Sequence, residues 1–502
     1  MTQQTGPARI GCAIIGVEPM GMGLFTTGML VSCLPKNPSV IPQRFTWCYD
    51  CGSMHLSQNE MQARIDRAFY GGHIENDTID LLVISHFDKD HINGLPLLLK
   101  KYRIRHLVLP YVSMVERVRG MVDEEWDADL THLQLQPVQH LRSNYEGRID
   151  NIHIYVGDEP GDDGPPPETF DNVDGPPKLD IPQSGEAPGP TEQEPIEPGV
   201  PWAEGYDYSG TPSSSVSYMR SQRPWRLGPW WEFKFYNPQT RRSVSQLSLL
   251  VRKAYRVYMA KKTEQAWTEF MKVVRKSYSA TFGKGGKAKN RISLTMFSGA
   301  VHQKSQIISS SMLANGAVTW RDNCHLRRIA SHSRCHVPSL LMTGDGDVTT
   351  DKWTTYEQYF GPQRLDRMMI FQIPHHGSKH NWEIGMGEKL KHFEAFVTVD
   401  GKWRHQIESR HPSLSILKDI RRIDRLVRIS TENDSIYYGF SAVWMDVSSG
   451  ISPWCHDEFP LPALGRWWFR HMPWPRSFLW EHFSRAWPLW PDRMCGCWDM
   501  RR

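Results

Sequence analysis

Ser85-His86-Phe87-Asp88-Lys89-Asp90-His91-Ile92-Asn93-Gly94-Leu95 follows directly on the apolar run Ile79 to Ile84, which only Asp80 interrupts. Four potential metal ligands, His86, Asp88, Asp90 and His91, fall within six residues. The pattern predicts a strand that ends by presenting ligands to one point, followed by a turn and a helix from about Gly94 to Tyr102. Imidazoles and carboxylates at this density can hold one or two divalent ions. A lone histidine is ordinarily a hydrogen-bonded structural residue; four ligands in one turn are hard to account for structurally.

Three later segments repeat the arrangement of an apolar strand ending in chemically loaded residues. Leu341-Met342-Thr343-Gly344-Asp345 delivers one carboxylate past a glycine, suited to bridging two ions. Ile373-Pro374-His375-His376-Gly377-Ser378-Lys379 offers a ligand, backbone donors and a cation for an anionic group. Arg410-His411-Pro412-Ser413 opens a helix that runs through Leu417. Before the first cluster, strands are expected at Arg9 to Val17, Leu24 to Leu34 and Arg44 to Tyr49, the last followed by Asp50-Cys51-Gly52. Asp50 is placed to lie behind a metal site and brace it. Cys48-Tyr49-Asp50-Cys51 is a CxxC, but no βαβ pattern follows it and no second CxxC exists to complete a zinc ribbon. A helix is expected at Asn59 to Tyr70 and another at Met114 to Glu125, with strands at Arg105 to Val112 and Asn151 to Val156. In the second half, strands are expected at Ile292 to Phe297, Ser339 to Met342, Met368 to Ile373, Ala395 to Val399 and Val427 to Ser430.

SHFDKDHINGL, LMTGD, IPHHGSKHN and RHPSLSIL occur in the order seen in the metallo-β-lactamase fold. More narrowly, they resemble the soluble hydrolase domain of the ComEC competence proteins, which is similar in having Asp at the position of Asp88, a His-His-Gly-Ser-Lys segment and a later His-Pro. The resemblance covers about Arg9 to Val156 and Lys289 to Ser430, and Asn290-x-x-Ser293-Leu294 also fits it. It implies an α/β fold, a four-layer αββα sandwich with the site at one edge. It implies metal ligands among His86, Asp88, Asp90, His91, Asp345 and His376, with His375 competing with His376 and His411 a further ligand or a proton donor. A further ligand histidine is implied before Asp345; His140 and His153 are candidates by order, and His302, His325 and His336 lie in the later half. Expected roles are Asp90 as ligand and orienter of a water, Asp345 as bridge, Ser378 and Lys379 as phosphate holders, and His411 as donor to the leaving oxygen. Asp88 enriches the site in oxygen and moves the preference from Zn²⁺ toward Mn²⁺. The expected activity is metal-dependent hydrolysis of phosphodiester bonds, most naturally in nucleic acid. The alternatives are a small substrate (a cyclic nucleotide, a phospholipid headgroup or another ester) or a partner-dependent sensing module of a bacterial defence system.

The chain has 502 residues, 23% of them charged, enough for two or three domains. No run of about 18 apolar residues exists, so no transmembrane helix is expected. Met1 to Arg9 lacks a signal-peptide layout, which makes the cytoplasm the expected location. The nine cysteines are scattered and odd in number, which argues against a disulfide framework. Cys324-His325 and Cys335-His336 together make a complete four-ligand zinc set conceivable in one loop.

Net charge is +4, but twelve acidic residues and one lysine lie between Asp158 and Glu197; without that stretch, 58 basic residues face 43 acidic ones. A basic body suits a polyanionic substrate, or solubility alone. Residues 1–156 and 289–446 are therefore expected as two halves of one metallo-β-lactamase-like domain. Residues 157–225 read as a disordered acidic, Pro/Gly-rich insertion, a solvated linker or an acidic imitation of nucleic acid. Residues 226–288 read as a basic helical insertion: Ser245 to Tyr278 has helical spacing, with Arg252, Lys253, Arg256, Lys261 and Lys262 and then Lys272, Arg275 and Lys276. Lys284, Lys287, Lys289 and Arg291 continue the charge, so this stretch is either a phosphate grip or a solvated pair of helices with a basic connector. Eight tryptophans between Val447 and Arg502 mark a C-terminal element that packs on the body, stacks on bases, meets a membrane interface or binds a protein partner.

Overall fold

Alternating and continuous apolar runs give this chain two sheets. The computed structural model describes residues 9–33, 43–69, 77–112, 117, 127–155, 179–181, 216–219, 223–228, 231–238, 245–282, 293–301, 305–314, 317–322, 339–365, 368–393, 395–399, 411–423, 425–430 and 436–444. In chain order the strands of the first half are β1 (Arg9–Val17), β2 (Thr26–Cys33), β3 (Gln43–Tyr49), β4 (Thr78–Val83), β5 (Arg103–Pro110), β6 (Ile149–Tyr155), β7 (Leu179–Asp180), β8 (Val216–Met219), β9 (Trp225–Leu227) and β10 (Trp231–Tyr236). Those of the second half are β11 (Thr295–Ala300), β12 (Ser305–Ala314), β13 (Ala317–Asp322), β14 (Ser339–Met342), β15 (Ile370–Gln372), β16 (Ala395–Val399), β17 (Leu426–Ser430) and β18 (Ile436–Trp444).

The larger sheet runs β13-β12-β18-β1-β2-β3-β4-β5-β6-β8 and the smaller β17-β16-β15-β14-β11-β10-β9-β7. Each has a parallel half. β3, β4, β5, β6 and β8 are parallel in one, and β14, β15, β16 and β17 in the other. Such strands are covered on both faces, and β4 reads accordingly: every residue after Thr78 is buried. Leu81 and Val83 point into a cluster that also holds Trp47, Tyr155, Phe233, Phe235, Met342 and Val397, from both sheets. Leu82 and Ile84 point the other way, with period two, toward Met61, Leu98, Leu130 and Leu141. On the smaller sheet, Leu341, Phe371 and Phe396 pack with Trp353, Tyr356, Ile416 and Ile420. The protein is thus a mixed α/β fold with two multi-stranded sheets and packed helices.

The helices have local causes. Ser57 caps Gln58–Ala68 through a reciprocal pair with Glu60. Thr349 caps Thr350–Phe360 by accepting from Lys352 N, and Ser413 caps Leu414–Arg421 by accepting from Ser415 N. Among the described residues no helix is long and apolar enough to cross a membrane.

Two expectations need correction. Within 157–225, read as disordered, Leu179–Asp180 and Val216–Met219 are strands and Trp225 begins a third. Short edge strands are held by backbone hydrogen bonds and need little apolar sequence, so composition does not reveal them. Within 226–288, read as a helical insertion, Trp231–Tyr236 is an inner strand of the smaller sheet, with all six residues buried. The helices begin only at Ser245, as the pair Ser245–Lys261 and Glu264–Phe282. Most of Met114 to Glu125, both Cys-His pairs and the Trp-rich 447–502 lie outside the described residues.

Candidate metal centre

The carboxyl ends of β3 and β4 in one sheet meet those of β14 and β15 in the other, the edge at which parallel sheets place ligand-handling residues. Two hydrogen bonds tie the sheets there, Tyr49 Oη donating to the Leu294 carbonyl at 2.6 Å and Leu294 N to the Ser85 carbonyl at 2.8 Å, and Asp345 N donates to Ser293 Oγ at 3.1 Å within the smaller sheet. Asp50, Ser85, His86, Asp88, Asp90 and His91 arrive from the larger sheet. Asp345, His375 and His376 arrive from the smaller.

Two groups of ligating atoms converge. One is His86, His91 and Asp345; the other is Asp90, His91 and His376, with His91 in common. Asp345 uses both oxygens: Oδ1 lies 3.2 Å from His91 Nε2, while Oδ2 lies 3.5 Å from His86 Nε2 and 3.5 Å from His375 Nδ1. Asp90 Oδ2 is 2.8 Å from His376 Nε2 and 3.7 Å from His91 Nε2. Asp88 Oδ2 stands 3.6 Å from His86 Nε2. His411 stacks on His375 with ring centroids 6.3 Å apart.

Behind these atoms is a bracing layer. Asp50 accepts from Ser85 N and Ser85 Oγ, both at 2.6 Å, and lies 2.8 Å from His91 Nδ1. With its hydroxyl hydrogen given to Asp50, Ser85 Oγ accepts from His86 Nδ1 at 2.8 Å. Both imidazoles are thereby anchored through Nδ1 with Nε2 facing the carboxylates, the orientation that metal-ligating histidines take from such partners. Although buried, the Nε2 atoms of His86 and His91 make no hydrogen bond. A buried polar atom without a partner costs on the order of 1–3 kcal/mol, and here a cation would satisfy both.

Electrostatics agree with the geometry. Burial disfavours protonated His91, but Asp90, Asp345 and Asp50 outweigh it and hold His91 well above the ordinary imidazole value. His86 is raised too: burial and His91 oppose its charge, and Asp345 and Asp88 prevail. Burial likewise opposes charge on Asp345, yet His375, His91 and His86 hold it well below the carboxylate range. Asp90 is lowered against its burial by His91 and His376. Asp88 goes the other way, raised chiefly by burial. The site is organised for positive charge.

The backbone is bent to build it. His375 and His376 have φ of 45° and 52°, left-handed for residues that carry side chains, and Asp50 has φ of 56°. Each such residue costs on the order of 1–3 kcal/mol and persists where its surroundings over-determine it. Here His375 N is held by the Gly344 carbonyl at 3.0 Å and Gly377 N by that of Pro374 at 2.9 Å. Gly344, at φ 53°, has no room for a side chain: a Cβ would meet Ser293 Oγ at 2.1 Å.

All seven residues expected as ligands therefore lie in or beside the two groups. The expected catalytic residues fare differently. Ser378 is buried, with Oγ accepting from His380 N at 3.4 Å within its own turn, and Lys379 is exposed. Burial, aided by His375 and His376, pushes His411 down to about 4, so it is neutral near pH 7 and must acquire a proton during turnover to act as a donor. The histidines considered for a further ligand have other partners: His140 Nε2 lies 3.6 Å from Asp129, and His153 Nε2 3.1 Å from His106 Nδ1. His302, His325 and His336 lie outside the described residues. Ser85 was the residue overlooked; its position between the strand and the first histidine is the only local sign of its part. No protein-family model matches the sequence, and no curated protein does.

Proposed function

We propose that this chain is a metal-dependent hydrolase of phosphodiester bonds, acting on nucleic acid. In this reading the two sheets and their outer helices form a four-layer αββα sandwich of the metallo-β-lactamase type, with a motif order that resembles the soluble hydrolase domain of ComEC proteins. The carrying observation is Asp345 reaching with one oxygen toward His91 and with the other toward His86, while both imidazoles keep a buried Nε2 without a hydrogen bond.

His86, Asp88, His91 and Asp345, with Asp90 and His376 beside them, would hold one or two Zn²⁺ or Mn²⁺ ions. A divalent ion there supplies a Lewis acid for the phosphoryl oxygen and a water of lowered pKa. The chain's own residues do the rest. Asp90, held below the carboxylate range, stays ionised and orients a water. Asp50 and Ser85 keep the His86 and His91 rings from turning. His411, on the open side of His375, faces the leaving oxygen, and Lys379 supplies an exposed cation for the flanking phosphate.

The test is purified wild type and Asp90→Ala, each with Mn²⁺ or Zn²⁺, on single- and double-stranded DNA, RNA, cyclic nucleotides and a chromogenic phosphodiester. Metal-dependent cleavage of a polynucleotide, lost in Asp90→Ala, is expected. Turnover of a small ester alone would overturn the nucleic-acid assignment, and full activity in Asp90→Ala would overturn the site.

A further inference from the structure

We propose that the helical hairpin Ser245–Lys261/Glu264–Phe282 is a docking surface for the phosphate backbone of a nucleic acid, set beside the candidate metal centre. The proposal rests on the hydrolase reading for its purpose, but on separate residues for its chemistry.

The hairpin buries one stripe: Val251, Tyr255 and Tyr258 pack on Trp267, Phe270, Met271 and Val274, and the cluster includes Leu135 from the helix Ala128–Leu135. The ring pairs Tyr258–Trp267 at 5.7 Å and Tyr255–Phe270 at 6.1 Å fix an antiparallel register. The amino half of the first helix therefore lies along the carboxyl half of the second. That register brings exposed Lys253 level with exposed Lys272, with exposed Arg275 and Lys276 farther from the turn at Lys262-Thr263, and sets exposed Arg256 level with Glu269. The first helix contains no acidic residue, and the second has only Glu264 and Glu269, both in its turn-proximal half. Lys253, Lys272, Arg275 and Lys276 thus lie farther from the turn than either glutamate of the hairpin.

The hairpin is joined to the site through one short helix. Tyr258 Oη lies 3.4 Å from His132 Nε2, and Leu135 sits in the hairpin cluster. The neighbouring Gln134 donates from Nε2 to the Phe87 carbonyl at 2.8 Å, between His86 and Asp88. Arg117 Nη1 donates to the carbonyls of Gln134 and Leu135, at 3.2 and 2.7 Å, and fixes that helix end. The helix Ala128–Leu135 thus links the hairpin to the loop that carries the candidate ligands.

Clustered cations of this kind bind a polyanion by releasing its counterions, without regard to sequence. An anionic membrane would also attract them. However, among the described side chains the exposed apolar residues of the hairpin are Leu250, Val257 and Val273, aliphatic and not the aromatic anchors of an interfacial helix. The charge therefore favours nucleic acid.

The experiment compares the full chain with the variant carrying Lys253→Glu, Arg256→Glu, Lys272→Glu and Lys276→Glu. Fluorescence anisotropy with labelled single-stranded DNA, duplex DNA and RNA is followed over a salt series, alongside phosphatidylserine vesicle flotation and turnover of a chromogenic phosphodiester. The variant should bind nucleic acid at least about tenfold more weakly, with a log–log salt slope shallower by about 3, as expected for four lost phosphate contacts. Its thermal midpoint and its turnover of the small ester should stay at the wild-type level. Unchanged affinity and slope in the variant would overturn the proposal, as would vesicle binding that depends on these residues in a protein that does not bind nucleic acid. Wild type that binds nucleic acid through the hairpin but hydrolyses no phosphodiester would uphold this surface and defeat the hydrolase reading.

Discussion

His86 with His91, and His106 with His153, are both close imidazole pairs carried by the larger sheet, and they titrate in opposite directions. The first pair has ring centroids 3.9 Å apart and both members raised, because carboxylates outweigh burial. The second has a 3.1 Å contact between ring nitrogens and both members lowered: His106 to about 4 by burial and Arg105, and His153 to about 3 by burial and His106. His153 Nδ1 is completed by Ser217 Oγ at 2.7 Å, and its ring packs edge-on to Trp225 at 4.9 Å. The difference lies in the neighbours. Three carboxylates around unpartnered Nε2 atoms create a demand for a cation; a serine and an indole around a neutral pair create none. Burial of histidine alone does not mark a metal centre. Its pairing with several buried carboxylates is what marks a candidate for one.

The largest effect that would break this contrast is Asp345→Asn. Removing the carboxylate that addresses both His86 and His91 should abolish retention of Zn²⁺ or Mn²⁺ through dialysis. The loss in affinity should exceed the ~10–100-fold that a bracing residue costs. Wild type should also gain on the order of 3 kcal/mol in stability when the ion is at about 100 times its Kd, and the variant little. Elemental analysis and thermal melts with and without metal measure both. Wild-type metal content in Asp345→Asn would mean that the first pair is as structural as the second.

Asp50→Asn sharpens the same contrast from behind. The amide retains the shape but weakens the brace on His91 Nδ1 and Ser85. Metal affinity should fall by about 10–100-fold while the metal-free fold survives. Titration calorimetry with Zn²⁺ reads the change, and unaltered affinity would show that Asp50 braces the fold and not the metal centre.

How far this contrast could be read beforehand follows from where its information lies. His86 to His91 is dense and local, and Asp345 and His376 end apolar strands past glycine or proline, so each leaves a mark in a few residues. The boundaries of β1, β14 and β16 were legible for the same reason: continuous apolar runs between polar turns. The Trp225–Leu227 strand was not, being three residues within Pro-, Ser- and Arg-rich sequence, whereas Trp231–Tyr236 does carry a mark, since Trp231, Phe233 and Phe235 alternate with Glu232 and Lys234, which the helical reading of 226–288 passed over. Ser305–Ala314 was hidden too. It is serine-rich and holds its place by backbone pairing with Ile436–Trp444, more than a hundred residues away. The anchoring of two histidines by Ser85, and the split between raised and lowered imidazoles, depend on residues brought together from separate strands. No local window contains them.

The smallest effect concerns the second pair and has a definite sign. In the unfolded chain both imidazoles take up protons near about 6.5. In the folded protein they do so only near about 4 and about 3. Between those values the unfolded state binds more protons, so stability falls as pH drops from about 6.5 toward about 3 and is recovered as pH rises back. His86 and His91 act oppositely in metal-stripped protein: raised in the folded state, they contribute fully below about 6.5 and lose that contribution as pH climbs through their folded values. Asp90 and Asp345, lowered in the folded state, lose theirs only below the ordinary carboxylate value of about 3.9. The raised pair acts above about 6.5 and the lowered pair below it, overlapping the two carboxylates only under about 3.9. The double variant His106→Gln/His153→Gln should therefore make the urea-midpoint profile shallower between about pH 3 and 6.5, the slope that stays coming from the other lowered histidines, His132, His140 and His411, and leave it unchanged above about 6.5. A profile as steep as that of wild type in that window would move the acid sensitivity away from this pair and remove the contrast in titration on which the two histidine pairs are distinguished.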